Sequence, residues 1–193
     1  MSKLIGSDVS HHNPSEELGS GQFQIYKATE GKTFKDPLFM EMKDYLSDAS
    51  LHGNLIGAYH FLSEKSGIAE QIEHFISTVE FMRGDVLLAL DYEAEFARTD
   101  PDGKCLYNAI EYFKHLTGMQ CLVYMNKSEA AKISFKRPSI PKDPMVSLWL
   151  ADYKGDYKAN WKPIMTQVCT EPFDIDVFHG SIGSWRTICK SWR

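Results

Sequence analysis

Eight short apolar runs, separated over much of the chain by stretches with helical hydrophobic spacing, constrain the fold more than any other feature. The runs cover residues 4–8, 24–29, 55–61, 86–91, 121–125, 146–150, 164–168 and 175–178. Helical stretches are predicted at 37–52, 68–82, 104–117 and 128–133. In the second of these, Ile68, Ile72, Phe75, Ile76 and Val79 fall on one helical face. Strands alternating with helices in this way build βα units and a parallel sheet. Beyond about residue 135 the pattern changes. Pro138, Pro141 and Pro144 interrupt the chain, and no long helix separates the last three runs. The expected fold is α/β, a TIM-like barrel that is β/α through its first five strands and mostly β in its last three. An open, doubly wound sheet is the alternative, although no G-x-G-x-x-G or P-loop marks a nucleotide site. With 193 residues and no repeat or linker, the chain is expected to form one domain over 1–193.

The strand ends carry the chemistry. Leu87-Leu88-Ala89-Leu90 runs directly into Asp91-Tyr92-Glu93. Residues i and i+2 of a strand share a face about 6.6 Å apart, so Asp91 and Glu93 would project together. Two carboxyl groups that close separate their pKa values into an acid and a base, which is the equipment of glycoside hydrolysis. A lone D-x-E also ends strands in solvent or caps helices. Two further strands repeat the layout, however: Leu4-Ile5-Gly6-Ser7-Asp8, and Pro172-Phe173-Asp174-Ile175-Asp176-Val177-Phe178. Unpaired buried carboxylates are costly in purely structural strands. A barrel enzyme gathers them, because its site collects residues from the C-terminal ends of many strands.

Composition narrows the partners. The formal net charge is −5 and no Lys/Arg cluster occurs, which argues against nucleic acid. No run reaches the roughly 18 apolar residues of a membrane helix, so no membrane partner is expected. A strand predicted from residue 4 leaves no room for a signal peptide, and the place where the chain acts stays open. Cys105, Cys121, Cys169 and Cys189 lack C-x-x-C spacing and are expected to be reduced and at least partly buried. His11 and His12 beside Asp8, His60 and Asp91 invite a metal reading. Adjacent strand residues point to opposite faces, however, so neither a metal nor any other cofactor is expected.

With these pieces placed, the sequence resembles the family 25 glycoside hydrolases, the lysozymes of Chalaropsis type. The matching motifs are Gly6-Ser7-Asp8-Val9-Ser10 with Asn13, Lys27-Ala28-Thr29-Glu30-Gly31 with Asp36-Pro37, and Gly57-Ala58-Tyr59-His60-Phe61. They continue through Asp91-Tyr92-Glu93, Tyr124-Met125-Asn126, Leu148-Trp149-Leu150-Ala151-Asp152-Tyr153 and Thr166-Gln167-Val168 to Asp174-Ile175-Asp176-Val177-Phe178. The resemblance implies an eight-stranded barrel with incomplete helices. It also implies hydrolysis of the β-1,4 bond between N-acetylmuramic acid and N-acetylglucosamine in peptidoglycan, with retention, by a monomer acting on glycan strands. Carried onto this chain, Glu93 is the general acid/base, and Asp91 is the nucleophile or the orienter of the substrate acetamido group. Asp8 and Asp174 complete the carboxylate cluster, with Asp174 matching the family position better than Asp176. The sequence departs from the family at His11-His12, where an aromatic often precedes the Asn, and at Val168, where a Tyr often follows the Gln.

Around that cluster, Tyr59, Tyr124 and Trp149 are expected to line a sugar groove, because aromatic rings offer large rigid faces with a polar tip. Tyr92 and Tyr153 also fall near strand ends, and Phe61 reads as core. Lys27, Glu30, Gln167 and Asp176 are the remaining expected substrate contacts. Lys27 with Glu30 equally reads as a structural ion pair, Asp8 as a turn cap, and His60 as a satisfied structural histidine. Two other functions fit the residues: hydrolysis of chitin-like polymers, and glycan binding by a non-catalytic barrel.

Overall fold

The computed structural model describes residues 2–13, 21–82, 84–170 and 174–189. Pro172 and Phe173 lie outside the described residues. The strands are β1 (Leu4–Val9), β2 (Phe23–Glu30), β3 (Phe34–Lys35), β4 (Ile56–Phe61), β5 (Leu87–Asp91), β6 (Cys121–Asn126), β7 (Val146–Ala151), β8 (Met165–Cys169) and β9 (Ile175–Phe178). The helices are α1 (Pro37–Glu41), α2 (Lys43–Leu51), α3 (Ile68–Val79), α4 (Ala94–Thr99), α5 (Lys104–Thr117), α6 (Lys127–Lys136), α7 (Ser139–Lys142) and α8 (Ile182–Cys189).

The sheet runs β1-β9-β8-β7-β6-β5-β4-β2, and a β1–β2 pairing closes it into an eight-stranded barrel. β3 is a short antiparallel arm on the outer end of β2, reached through a turn where Gly31 takes φ +53. A Cβ there would lie 2.9 Å from Ser66 Oγ. From β1 through β8 the barrel strands pair in parallel. β9 runs antiparallel to both β8 and β1. The expected α/β barrel, with no helix among the described residues between its last three strands, is therefore the fold. The reversed last strand is an addition to it, and it means that the N-terminal end of β9, not its C-terminal end, meets the rim where the other strands finish.

Alternation divides the apolar residues between two cores. Val9, Tyr26, Ala28, Ala58, Leu88, Leu90, Val123, Leu148 and Leu150 face outward. They pack with Phe39, Leu46, Ile72, Phe75, Leu106, Ile110, Phe113 and Ile133 of the helices. Leu4, Phe23, Ile25, Leu87, Ala89, Leu122, Met165 and Phe178 fill the barrel. This double burial explains why β5 and β7 are buried at every position and read as continuous apolar runs. The barrel floor is closed by α8. Trp185 is fully buried there, with its ring centroid 4.9 Å from Phe23 and 5.3 Å from Phe178. A buried indole of this kind contributes on the order of 4–6 kcal/mol of apolar burial before entropy is charged against it.

The inward columns change character along their length. Leu4 gives way to Asp8, Ile25 to Lys27, Leu87 to Asp91, Leu122 to Tyr124 and Met165 to Gln167. The lower layers are hydrocarbon and the top layer is polar, as a barrel with its site at the C-terminal rim requires.

Helix boundaries depart in places from expectation. The stretch 37–52 is two helices rather than one, divided at Met42 (φ −83, ψ 5). α1 is nucleated by Asp36, whose side chain accepts from Leu38 N, followed by Pro37 in the first turn. α4, α7 and α8 were not expected. Cys121 and Cys189 are buried and Cys105 and Cys169 half-buried, as expected.

Candidate active site

A cleft opens at the C-terminal rim of the barrel. Asp8, Lys27, Tyr59, Asp91, Glu93, Tyr124, Trp149, Gln167 and Asp174 all line it, together with Ser10, His12, Phe61, Tyr153 and Thr170. β1, β2, β4, β5, β6, β7 and β8 each deliver at least one inward side chain from near their C-terminal ends to it. The reversal of β9 brings Asp174, the residue before that strand, to the same rim.

β5 ends at Asp91, and Glu93 lies two residues beyond the strand at the N-cap of α4. Glu93 still has extended backbone (φ −107, ψ 174). The middle residue explains the placement. Tyr92 N donates to Tyr124 O at 2.9 Å, carrying the β5–β6 ladder one residue past the strand. The Tyr92 ring points outward into the helical core, fully buried, and its hydroxyl reaches Asp100 O at 3.3 Å. Asp100 in turn accepts from Cys105 N at 2.9 Å and Leu106 N at 3.0 Å, capping α5. Tyr92 is thus an anchor behind the cleft, and the residues on either side of it turn inward.

Asp91 is 7% exposed, and its Oδ1 meets no hydrogen-bond donor among the described residues. Burial first, then the charges of Glu93 and Asp8, hold its carboxyl well above the usual range, against the pull of Lys27. Glu93 is exposed at the cleft mouth. Its pKa is also raised, by partial burial first and then by Asp8 and Glu95, with Lys27 opposing. The sequence spacing pointed to two coupled carboxyl groups whose pKa values separate. In the structure Glu93 acts on Asp91, and the deeper carboxyl carries the larger shift.

Lys27 is the cation of the cleft. Its Nζ donates to Glu30 Oε2 at 2.7 Å and stands 4.7 Å above the centroid of Phe61. Glu30 does not line the cleft; it reaches it only through Lys27. Phe61, expected in the core, lines the cleft beneath that ammonium group.

Gln167 organises the opposite wall. It is buried, its Nε2 donates to Asp8 Oδ2 at 2.7 Å, and its Oε1 accepts from Tyr124 Oη at 2.8 Å and Tyr153 Oη at 2.7 Å. Asp8 is therefore held across the barrel rather than capping its own turn. That turn is closed instead by Asn13, whose side chain accepts from Ser10 N. Trp149 lies beneath the cleft at 1% exposure, edge-on to Tyr124 (5.0 Å) and Tyr59 (6.3 Å). Its indole Nε1 donates to Asp176 Oδ1 at 2.7 Å. Trp149 is a floor, not a stacking platform. Tyr153, which sequence reasoning noticed but did not select, is the exposed aromatic of the groove, at 53%.

Two expectations change place. Asp176 is completely buried and absent from the cleft lining, so it cannot touch a substrate directly. This inward position on an antiparallel strand sits one layer lower than Asp174. His60 is also fully buried, facing the helices between Thr29 Oγ1 (2.7 Å) and Gln71 Oε1 (3.1 Å). Burial holds its pKa down to about 4, so it is a satisfied neutral histidine and reaches no cleft carboxylate. His11 and His12 do not point to opposite faces, because they lie in the turn after β1, with ring centroids 3.7 Å apart. His11 Nδ1 lies 2.6 Å from the buried Asp36, while His12 lines the cleft. Among the described residues no three His, Cys, Asp or Glu side chains are grouped to hold a metal ion.

The comparisons with known proteins agree with this architecture. The family model for glycosyl hydrolases family 25 matches residues 7–170, a span that runs from within β1 to the end of β8 and holds every cleft residue named above except Asp174. The chain belongs to that family. Its fold is shared with the bacterial lysozyme from Streptomyces coelicolor (19% identity, 98% of each chain covered, TM-score 0.76). It is shared likewise with a muramidase from Trichobolus zukalii (22% identity, 97% of this chain and 99% of that one, TM-score 0.74). The modular Cpl-1 endolysin, solved with a peptidoglycan analogue, matches at 20% identity over 92% of this chain and 55% of its own (TM-score 0.63). Among curated sequences, the uncharacterized protein YegX of Escherichia coli is 38% identical over 72 residues. That match spans 37% of this chain and a quarter of the relative.

Proposed function

We propose that this chain is a lysozyme-type glycosidase that cleaves the β-1,4 bond following N-acetylmuramic acid in peptidoglycan, with retention at the anomeric carbon. The observation that carries this reading is the convergence of Asp91 and Glu93, both with raised pKa values, on one cleft walled by Asp8, Asp174 and aromatic residues. The Streptomyces and Trichobolus structures are described as a lysozyme and a muramidase, and the Cpl-1 structure holds a peptidoglycan analogue, which supports the same substrate class. One domain spanning 1–193 supplies the whole site.

In this mechanism Glu93 is the proton donor. Its carboxyl stands at the mouth, where a leaving glycosidic oxygen would sit, and its raised pKa keeps it protonated closer to neutrality. Asp91 orients the substrate. Its bare Oδ1 is matched by the N–H of a 2-acetamido group, and that bond stabilises the ionised form which burial disfavours. The acetamido carbonyl oxygen then forms a bond to the anomeric carbon as the glycosidic C–O bond breaks, and the leaving oxygen takes the Glu93 proton. Intramolecular attack of this kind draws on a high effective molarity. Water, deprotonated by Glu93, opens the cyclic intermediate from the original face, so the product keeps its β configuration. Lys27 limits the rise of both carboxyl pKa values, Tyr59, Tyr124 and Tyr153 contact the sugars, and Gln167 holds Asp8 against them.

Three experiments test this. Mass spectrometry of a peptidoglycan digest is expected to find N-acetylmuramic acid at the new reducing ends, and proton NMR of the first product is expected to show the β-anomer. N-acetylglucosamine at those ends would overturn the bond assignment, and an initial α-anomer would overturn retention. Exhaustive chelation is expected to leave the rate unchanged, since His11 and His60 are committed to Asp36, Thr29 and Gln71. A loss restored by added Zn²⁺ would reverse that expectation.

A further inference from the structure

Asp176 is the buried acid that the mechanism does not use. It sits on β9 directly across from Gly6 of β1 and Gln167 of β8. With no side chain at Gly6, the next inward group on β1 is Asp8. Asp176 Oδ1 accepts the Trp149 indole N–H at 2.7 Å, and Oδ2 is buried with no donor among the described residues. Its neighbour on the facing strand is Asp8, close enough for a carboxyl–carboxyl hydrogen bond between the two. Such a bond exists only when one partner holds a proton, because an ionised carboxylate accepts and never donates.

We infer that Asp176 is a positioning residue that keeps its proton and donates it to Asp8, fixing Asp8 as an oriented carboxylate on the cleft wall. The two sites differ in the way this requires. Asp8 has a second donor, Gln167 Nε2, and borders the open cleft; Asp176 has only the indole and is sealed at 0% exposure. Burial is the largest cause raising the pKa of each. Their mutual bond then acts in opposite senses, lowering Asp8 and raising Asp176 further. The other titratable groups around the pair are Asp174 beside Asp176, Asp91 on β5, Tyr59 on β4 and Tyr124 on β6, with Lys27 on β2 as the nearby cation. The result is a continuous chain from Trp149 through Asp176, Asp8 and Gln167 to the hydroxyls of Tyr124 and Tyr153. A neutral donor at position 176 sets the register of every group above it.

The first test uses no substrate, so it stands apart from the proposed glycosidase function on which the positioning role rests. Denaturant unfolding of the wild type and of Asp176→Asn is followed from about pH 5 to about pH 7. A native-state proton released on unfolding makes the ratio of the wild-type to the variant unfolding constant rise by up to about tenfold per pH unit. A ratio that stays flat means that Asp176 is an ordinary anion, and overturns the inference. The second test reads the role. Asp176→Leu removes the donor to Asp8 and is expected to lower the wall-lytic rate on the order of 10²-fold, the scale of a small misplacement in a site. Asp176→Asn, which can donate to Asp8 and accept from Trp149, is expected to restore most of that loss. An Asn variant as impaired as the Leu variant overturns the positioning role. A wild type that lyses no walls overturns the glycosidase function and leaves the proton measurement standing.

Discussion

Replacing Glu93 by Gln is expected to leave a folded protein whose wall-lytic rate has fallen by about 10²–10⁴-fold. The substitution keeps the size and the extended backbone of the residue but removes the transferable proton. It also spares the fold. Glu93 is exposed and, although it occupies the N-cap of α4, its side chain makes no capping hydrogen bond, so the change in stability is expected to stay within about 0.5 kcal/mol. The measurement pairs the clearance of a cell-wall suspension with a circular-dichroism melt. An unchanged melt with more than about half the activity retained would move the acid to another group. Asp8 is the nearest alternative, since it lines the same cleft and also has a raised pKa.

Much of this site was legible before any coordinates because the barrel places one kind of residue at one kind of position. In five of the runs an inward residue near the end is Asp8, Lys27, Asp91, Tyr124 or Gln167, and each follows an apolar inward partner two residues earlier or more. Alternation alone therefore separates the packed floor from the polar rim. Asp176 shows where this fails. Its spacing from Asp174 is the same i, i+2 as that of Asp91 and Glu93, yet the direction of β9 decides which member of the pair reaches the cleft. Direction is set by pairing with β8 and β1, far apart in sequence. Glu93 and Asp91 illustrate a second limit. Their spacing foretold two perturbed carboxyl groups, but the order of the shifts follows from depth, and depth depends on the outward anchor that Tyr92 makes with Asp100. The plug on the barrel floor was missed for a related reason. The stretch carrying Trp185 is short and rich in Ser, Gly and Thr, and its apolar side chains acquire meaning only once the barrel exists for them to close.

Asp91→Asn is expected to do two opposite things. The lytic rate should fall by about 10²-fold or more, the usual cost of losing a preorganised electrostatic contact to the reacting group. Stability, by contrast, should rise. The wild type holds a carboxyl with a bare oxygen in a buried site facing Glu93 and Asp8, and its folded pKa lies above that of the unfolded chain. Such a group binds its proton more tightly in the native state. Wild-type stability therefore falls as the pH rises from the ordinary Asp value of about 4 through the raised folded value, where a buried charge must form. Asn never ionises, so the variant escapes that loss. At about pH 7 the expected gain is roughly 1–2 kcal/mol, or about 2–8 °C in melting temperature for a domain of this size. The gain should shrink toward zero below about pH 4, where both states of the wild type are protonated. Melting both proteins across that range decides the matter. A variant that is less stable than the wild type at neutral pH, or a difference that ignores pH, would mean that Asp91 has a partner which compensates its charge. The bare Oδ1 would then lose its place as the acceptor for a substrate N–H.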